Sequence, residues 1–254
     1  MRANNIKFNF NSSNFVLTGA GKGIGLSTLK KLFFSGARVA FITKSYSDIV
    51  QINRKYKSER ILSFCGDISD ENDRNLFVRL IKKKMKKIDG LINNAGIRQR
   101  KSFNDISTKE IDLIFEVNLK SIFFLIQNLL ENFNKKNSSI VNIASIVGPN
   151  GFADLSGYAL TKSGLIGLTK SLSIELAKKK IRVNSISPGF VKSSYEKNFK
   201  KKLSKFYKYT LQRTPLGRWG ECDEVADLIL FLLSNNSNYI TGNNIFIDGG
   251  WSSN

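Results

Sequence analysis

Tyr158 and Lys162 stand four apart in Tyr158-Ala159-Leu160-Thr161-Lys162, thirteen residues after Ser145, in a chain with no histidine. Proton transfer must therefore use groups other than imidazole. On a helix, positions i and i+4 share a face, so the Lys162 ammonium can lie below the Tyr158 phenol and favour its ionised form. A phenol of pKa ~10 then becomes a proton donor and acceptor usable near neutrality. The same spacing also suits an ordinary amphipathic helix surface, and the rest of the chain decides between the two. Without histidine there is no Ser-His-Asp triad and no common zinc-hydrolase ligand set. Cys65 and Cys222 lie far apart, outside any Cys-x-x-Cys pair, so neither a disulfide framework nor a metal site is expected.

Holding such groups in place requires a scaffold, and the chain supplies an alternating one. Asn14 to Leu17, Arg38 to Ile42, Ile61 to Phe64, Gly90 to Ile92, Ser139 to Ile143, Arg182 to Ser187 and Asn244 to Ile247 read as strands. Helical stretches fall between them, roughly Ile24 to Ser35, Asp48 to Tyr56, Glu71 to Lys86, Lys109 to Asn134, Tyr158 to Lys179 and Asp223 to Leu233. This order predicts an α/β fold: a doubly wound parallel sheet of about seven strands with helices on both faces. With 254 residues, 41% of them hydrophobic, one domain over 1–254 is expected. The long insertion over 190–219 follows the sixth strand at the carboxyl edge, where a substrate lid is expected. The apolar residues of the Lys109 to Asn134 stretch exceed one core-facing stripe, which predicts a second buried side at a subunit interface. No apolar run is read as spanning a bilayer or as a signal peptide, so a soluble, cytoplasmic protein without a membrane partner is expected.

The net charge of +20 and pI near 10.0 raise nucleic-acid binding as an alternative. Distribution argues against specific binding. The runs Lys82-Lys83-Lys84, Lys178-Lys179-Lys180 and Lys200-Lys201-Lys202 are scattered, and the first two close predicted helices, where cations complement the dipole. Aromatic residues do not interleave with them as a base-stacking platform requires.

The first strand runs into Thr18-Gly19-Ala20-Gly21-Lys22-Gly23-Ile24-Gly25 and then a helix. Glycines there permit a tight turn and close approach to a pyrophosphate at the helix N-terminus. At the end of the second strand Thr43 replaces the acidic residue that would bind a free ribose 2′-hydroxyl. Lys44 beside it and Lys22 in the turn can instead neutralise a 2′-phosphate, which favours NADP(H) over NAD(H).

From Asn14 to Trp251 the chain resembles the short-chain dehydrogenase/reductase family. The shared motifs are Thr18-Gly19-x-x-x-Gly23-x-Gly25, Asn93-Asn94-Ala95-Gly96, Asn118, Ser145, Tyr158-x-x-x-Lys162 and Pro188-Gly189, in the family's order. The resemblance implies a Rossmann-type fold and an oxidoreductase acting on a carbonyl or secondary alcohol. By the same resemblance Tyr158 gives the proton, Ser145 hydrogen-bonds the reacting oxygen, and Lys162 lowers the phenol pKa while holding the nicotinamide ribose. Asn118 would hold a water in a proton relay from Lys162. Asp67 and Ile68 would meet adenine, Asn94, Ala95 and Gly96 would border the adenosine half, and Val191 and Ser193, after Pro188 and Gly189, would meet the carboxamide and phosphates. A homotetramer is implied as well.

Fold and cofactor do not choose a substrate; loops do. Arg98 and Arg100 follow Gly96 closely and point to an anionic or polyhydroxylated, sugar-acid-like molecule, as in gluconate 5-dehydrogenase-like members, which these segments resemble. The alternative is a 3-oxoacyl-acyl-carrier-protein reductase, which Ser145-Ile146-Val147-Gly148 and Tyr239-Ile240-Thr241-Gly242 also resemble. Members of that group dock their carrier with arginines at positions aligned here with Leu130 and Ile174. An alternative of another class is a dinucleotide-sensing protein without catalysis, against which the joint presence of Ser145, Tyr158 and Lys162 argues.

Overall fold

Apolar runs such as Phe15-Val16-Leu17 suit strands covered on both faces, and each of those three side chains is buried. The computed structural model describes residues 7–193, 199 and 203–253. Its strands are β1 (Asn14–Thr18), β2 (Arg38–Thr43), β3 (Ile61–Cys65), β4 (Gly90–Asn93), β5 (Ser138–Ile143), β6 (Ile181–Pro188), β7 (Val191–Lys192), β8 (Gly220–Glu221) and β9 (Asn244–Ile247). Seven form a parallel sheet in the order β3-β2-β1-β4-β5-β6-β9, the doubly wound arrangement that the sequence predicts. Strand order reverses between β1 and β4, which opens a crevice at their carboxyl ends.

Alternation along each strand sends neighbouring side chains to opposite faces. Phe15, Leu17 and Phe41 pack with Leu29, Leu32 and Ile229 on one face, whereas Val16, Ala40 and Ile42 pack with Phe77, Leu125 and Leu165 on the other. Truncating one such buried leucine to alanine costs roughly 2–5 kcal/mol. The helices facing the sheet include α1 (Gly23–Phe34), α2 (Tyr46–Lys55), α3 (Glu71–Met85), α4 (Thr108–Phe115), α5 (Ser121–Leu129) and α6 (Ser156–Glu175). Local chemistry sets their starts. Ser45 Oγ accepts from Asp48 N at the head of α2, Asp70 accepts from Asp73 N at α3, and Ser107 and Glu110 form a capping box at α4.

Two expectations change. The stretch from Lys109 to Asn134 is not wound uniformly, because a π-helical turn, Glu116–Lys120, separates α4 from α5. One extra residue per turn rotates Asn118 inward, where it is fully buried and bonded to tertiary partners. The helical run Thr108–Asn132 is also long and apolar enough to cross a bilayer by length and composition, which no run was expected to be. Nearly half of that stretch is buried against protein, a property shared with core helices.

The second apolar side of this helix is open to solvent in the single chain. Leu113 and Phe123 are exposed, and a groove of about 860 Å³ runs between α4–α5 and α6, lined by Ile111, Phe115, Leu119, Phe123 and Leu168. The predicted lid falls partly outside the described residues. Of its described part, β7 pairs in parallel with β8, and Phe190, Phe199, Trp219 and Trp251 pack ring against ring at 5.0–5.3 Å.

Candidate active site

The glycine turn lies where β1 meets α1. Gly19 and Gly23 adopt φ of 71° and 57°, the left-handed region that glycine enters without strain. A Cβ on Gly25 would strike the Gly19 carbonyl, so the turn can close only with hydrogen at that position. Lys22, the N-cap of α1, makes no side-chain cap, and no acidic residue sits in the first turn. The first N–H groups of α1 are thus available to an anion.

Thr18 and Asn94 hold the loops after β1 and β4 together. The Thr18 hydroxyl accepts from Asn94 N and Ala95 N, both at 3.0 Å, while Asn94 Nδ2 donates to Thr18 O (3.1 Å) and Gly19 O (2.9 Å). Two cavities meet along Lys22, Asn94, Gly96 and Ile97. One, about 380 Å³, is also lined by Gly19, Gly21, Lys44, Asp67 and Ile68; the other, about 730 Å³, by Ser145, Tyr158, Lys162, Pro188, Val191 and Ser193. Together they form one elongated cleft at the crevice between β1 and β4, lined by glycine and open backbone, as an extended dinucleotide requires.

Ser145 lies two residues past β5, where its hydroxyl accepts from Val147 N (3.2 Å), and it lines the larger cavity with Tyr158 of the first turn of α6. Burial raises the Tyr158 pKa above its ordinary value, while the nearby Arg98 guanidinium and Ser145 hydroxyl act to lower it. Lys162 is buried one turn on, its Nζ donating to Ile143 O (2.7 Å) and lying 5.6 Å from the Tyr158 ring centroid. Burial brings the Lys162 pKa down from 10.5 to about 8. Near neutrality an amine titrating at about 8 still carries most of its charge, and the Arg98 guanidinium adds a second cation that favours the phenolate.

Asn118 clamps the backbone of Ile97 and reaches the Thr161 hydroxyl of α6. Its Oδ1 accepts from Ile97 N (2.8 Å) and its Nδ2 donates to Ile97 O (2.9 Å) and Thr161 Oγ1 (3.2 Å). A Cβ on Gly96 would come within 3.2 Å of Asn118 Oδ1 and 3.7 Å of Lys162 Nζ, so these two side chains converge over Gly96.

Arg98 and Arg100 both line the larger cavity. Arg100 spans to Asp154 (3.7 Å) and covers the Phe206 ring (5.2 Å), which ties the loop after β4 to the lid. Lys44 is drawn toward Asp67, with which it forms an ion pair (2.5 Å). Burial raises the Asp67 pKa, but hydrogen bonds from Lys44 and Ser69 outweigh that and leave it below its usual value. The sequence reading missed Ile97, Phe152 and Cys222 as cavity lining. No motif marks them, since loops bring them there. Burial, Asp223 and Glu221 push the Cys222 thiol up to about 11, so it stays protonated near neutrality.

Known proteins share the fold. The family model described as enoyl-(acyl carrier protein) reductase matches residues 19–252. The chain is 34% identical over 244 residues to the 3-oxoacyl-acyl-carrier-protein reductase of Buchnera aphidicola subsp. Acyrthosiphon pisum, covering 95% of this chain and 98% of that protein. It is 33% identical over 250 residues to NADPH carbonyl reductase 2 of Sus scrofa, covering 97% and 99%. A short-chain glucose/ribitol dehydrogenase structure from Brucella melitensis superposes with a TM-score of 0.91 at 32% identity, covering 97% of this chain and 99% of that one. The protein belongs to the short-chain dehydrogenase/reductase family. Its relatives act on carbonyl and alcohol groups, and it is an oxidoreductase of that kind using a nicotinamide dinucleotide.

Proposed function

We propose that this chain is an NADP(H)-linked reductase of a small polar or anionic carbonyl compound, with a sugar-acid-like substrate as the leading class. The observation that carries this reading is one cavity that gathers Ser145, Tyr158, Lys162, Arg98 and Arg100. The bound nicotinamide would supply the hydride. Every other part falls to side chains of the chain itself. The substrate oxygen would lie between Ser145 Oγ and Tyr158 Oη, and Tyr158 would give it a proton as negative charge develops there. Near neutrality the raised phenol pKa keeps that proton available. Lys162 would return a proton to the phenolate, and Asn118, which converges with it over Gly96, would hold a water linking that amine to solvent. Arg98 would favour the phenolate between these events and draw an anionic substrate to the mouth of the cleft.

For the cofactor, Gly19, Gly21, Gly23, Ile24 and Gly25 would receive the pyrophosphate, with Lys22 and Lys44 favouring a 2′-phosphate. Asp67 and Ile68 would border adenine, and Pro188, Gly189, Val191 and Ser193 would border the nicotinamide end.

A second reading, reduction of a 3-oxoacyl thioester on an acyl carrier protein, is favoured by the Buchnera relative. Leu130 and Ile174, the positions aligned with the docking arginines, present apolar surface instead, Ile174 being 78% exposed. The test is the initial rate of NADPH oxidation with a keto-sugar acid and with a 3-oxoacyl thioester at equal enzyme. Turnover of the sugar acid alone supports the first reading; turnover of the thioester alone replaces it with the second. Tyr158→Phe should abolish either turnover while leaving NADPH binding within about threefold of the parent. Full activity in that variant would refute the proton-donor role.

The open groove between α4–α5 and α6 would be covered by a second copy, with a homotetramer as the expected assembly. A monomer in sedimentation velocity at micromolar concentration would refute this. A cytoplasmic setting is the matching expectation, to be checked by fractionation.

A further inference from the structure

We propose that Asp48 is a specificity-determining residue at the adenosine end of the cleft, where its carboxylate receives a ribose 2′-hydroxyl and opposes a 2′-phosphate. Lys22 and Lys44 then do not decide the cofactor alone, and the chain admits NAD(H) beside NADP(H). This rests on the reading of the cleft as a dinucleotide site.

The placement follows from three features of the chain. First, Asp48 occupies the third position of α2, and its own N–H is tied to Ser45 Oγ (3.1 Å). Second, its side chain leans over the glycine turn. A Cβ on Gly21 would collide with Asp48 Oδ2 and would come within 2.9 Å of Asp48 Cγ and 3.1 Å of Asp48 Cβ. Gly21 thus makes room for a carboxylate against the turn, the position that the ribose of a bound adenosine must pass. Third, Asp48 lines the 380 Å³ cavity with Lys22, Thr43, Lys44 and Asp67.

Charge and hydrogen bonding favour a ligand donor there. Among the described residues, the Asp48 carboxylate has no hydrogen bond or ion pair, although two lysines line the same cavity. Lys44 is committed instead to Asp67. Two lysines and two aspartates leave this end of the cleft without net positive charge. A 2′-hydroxyl would give the free carboxylate the donor it lacks. A 2′-phosphate would instead place a dianion beside it, offset by Lys22 and by whatever Lys44 retains beyond its pair with Asp67. Thr43 at the end of β2 carries no charge, so the acidic role missing there is taken up five residues later, one turn into a helix.

The test is cofactor binding rather than turnover. Dissociation constants for NADPH and NADH are measured by quenching of the reduced nicotinamide fluorescence, for the parent, Asp48→Asn and Asp48→Ser. The parent is expected to bind both cofactors. Both variants should shift the affinity ratio toward NADPH by about tenfold or more, since each removes the charge that opposes the phosphate. Asp48→Ser should also weaken NADH. An unchanged ratio in both variants would overturn the role of Asp48 and leave the dinucleotide site standing. A parent that binds neither cofactor would overturn the dinucleotide reading and this proposal together.

Discussion

Replacing Lys162 with methionine should make the protein less sensitive to alkaline pH in one calculable respect. In the folded chain burial holds this amine at about 8, against 10.5 for an ordinary lysine, and an unfolded chain restores the ordinary value. Between those limits the unfolded state binds more protons than the folded state. Stability gained through Lys162 therefore rises with pH across that window and is level below it. Below about pH 8 the charged, buried amine costs about 3 kcal/mol relative to its neutral form, by the free energy of a pKa displacement of this size. From about pH 7 to about pH 9.5 roughly 2 kcal/mol of that cost is recovered. Lys162→Met has nothing to titrate, so the parent should gain about 2 kcal/mol on the variant over this interval. Urea unfolding of both proteins at the two pH values measures the difference, and repeating the pair in a Tyr158→Phe background removes the phenol from the comparison. A parent-to-variant gap that stays constant, or moves in the variant's favour as pH rises, would refute the reasoning. Lys162 would then remain charged at pH 9.5.

Asn118→Ala removes the partners of both Ile97 backbone groups in a part-buried setting, and should cost about 1–3 kcal/mol in urea unfolding as well as activity. A loss below about 0.5 kcal/mol would mean that the π-helical turn does not depend on those bonds. Arg98→Gln removes the cationic charge that lowers the Tyr158 pKa. In the alcohol-oxidising direction, where phenolate is required, the acid limb of the kcat profile should move to higher pH; a shift to lower pH would contradict the assignment.

The sheet was legible because its strands are short segments rich in apolar and β-branched residues, separated by helix-length amphipathic stretches and turn residues. Gly19, Gly36 and Gly90 all fall at strand boundaries of the parallel core. Ser145, Tyr158 and Lys162 were legible because their order and spacing are fixed by one strand end and one helix face. Asn118 was found as a residue but not as a geometry. Nothing in Glu116-Val117-Asn118-Leu119-Lys120 marks a wider turn, since the turn is held by Ile97 and Thr161, distant in sequence. Asp48 was hidden more thoroughly. Following Ser45, it reads as an acidic residue suited to a helix start, and only the fold brings it against Gly21. The pairing of Lys44 with Asp67 was hidden likewise, because it joins the ends of two neighbouring strands. Charge partners chosen across a sheet edge leave no local pattern.

The short ladder between β7 and β8 has a consequence for how this protein can change over generations. Val191 pairs with Gly220 and Lys192 with Glu221, and the Lys192–Glu221 ion pair (2.6 Å) reinforces the same junction. Both ends of the intervening segment are thus pinned to one small ribbon beside the cleft, independent of the seven-stranded sheet. The entropic cost of a longer loop between fixed ends grows only logarithmically, by about 0.6 kcal/mol per doubling. The segment can be lengthened, shortened or exchanged as a cassette, so new substrates can be sampled while Ser145 keeps its place just past β5 and Tyr158 and Lys162 keep theirs on α6.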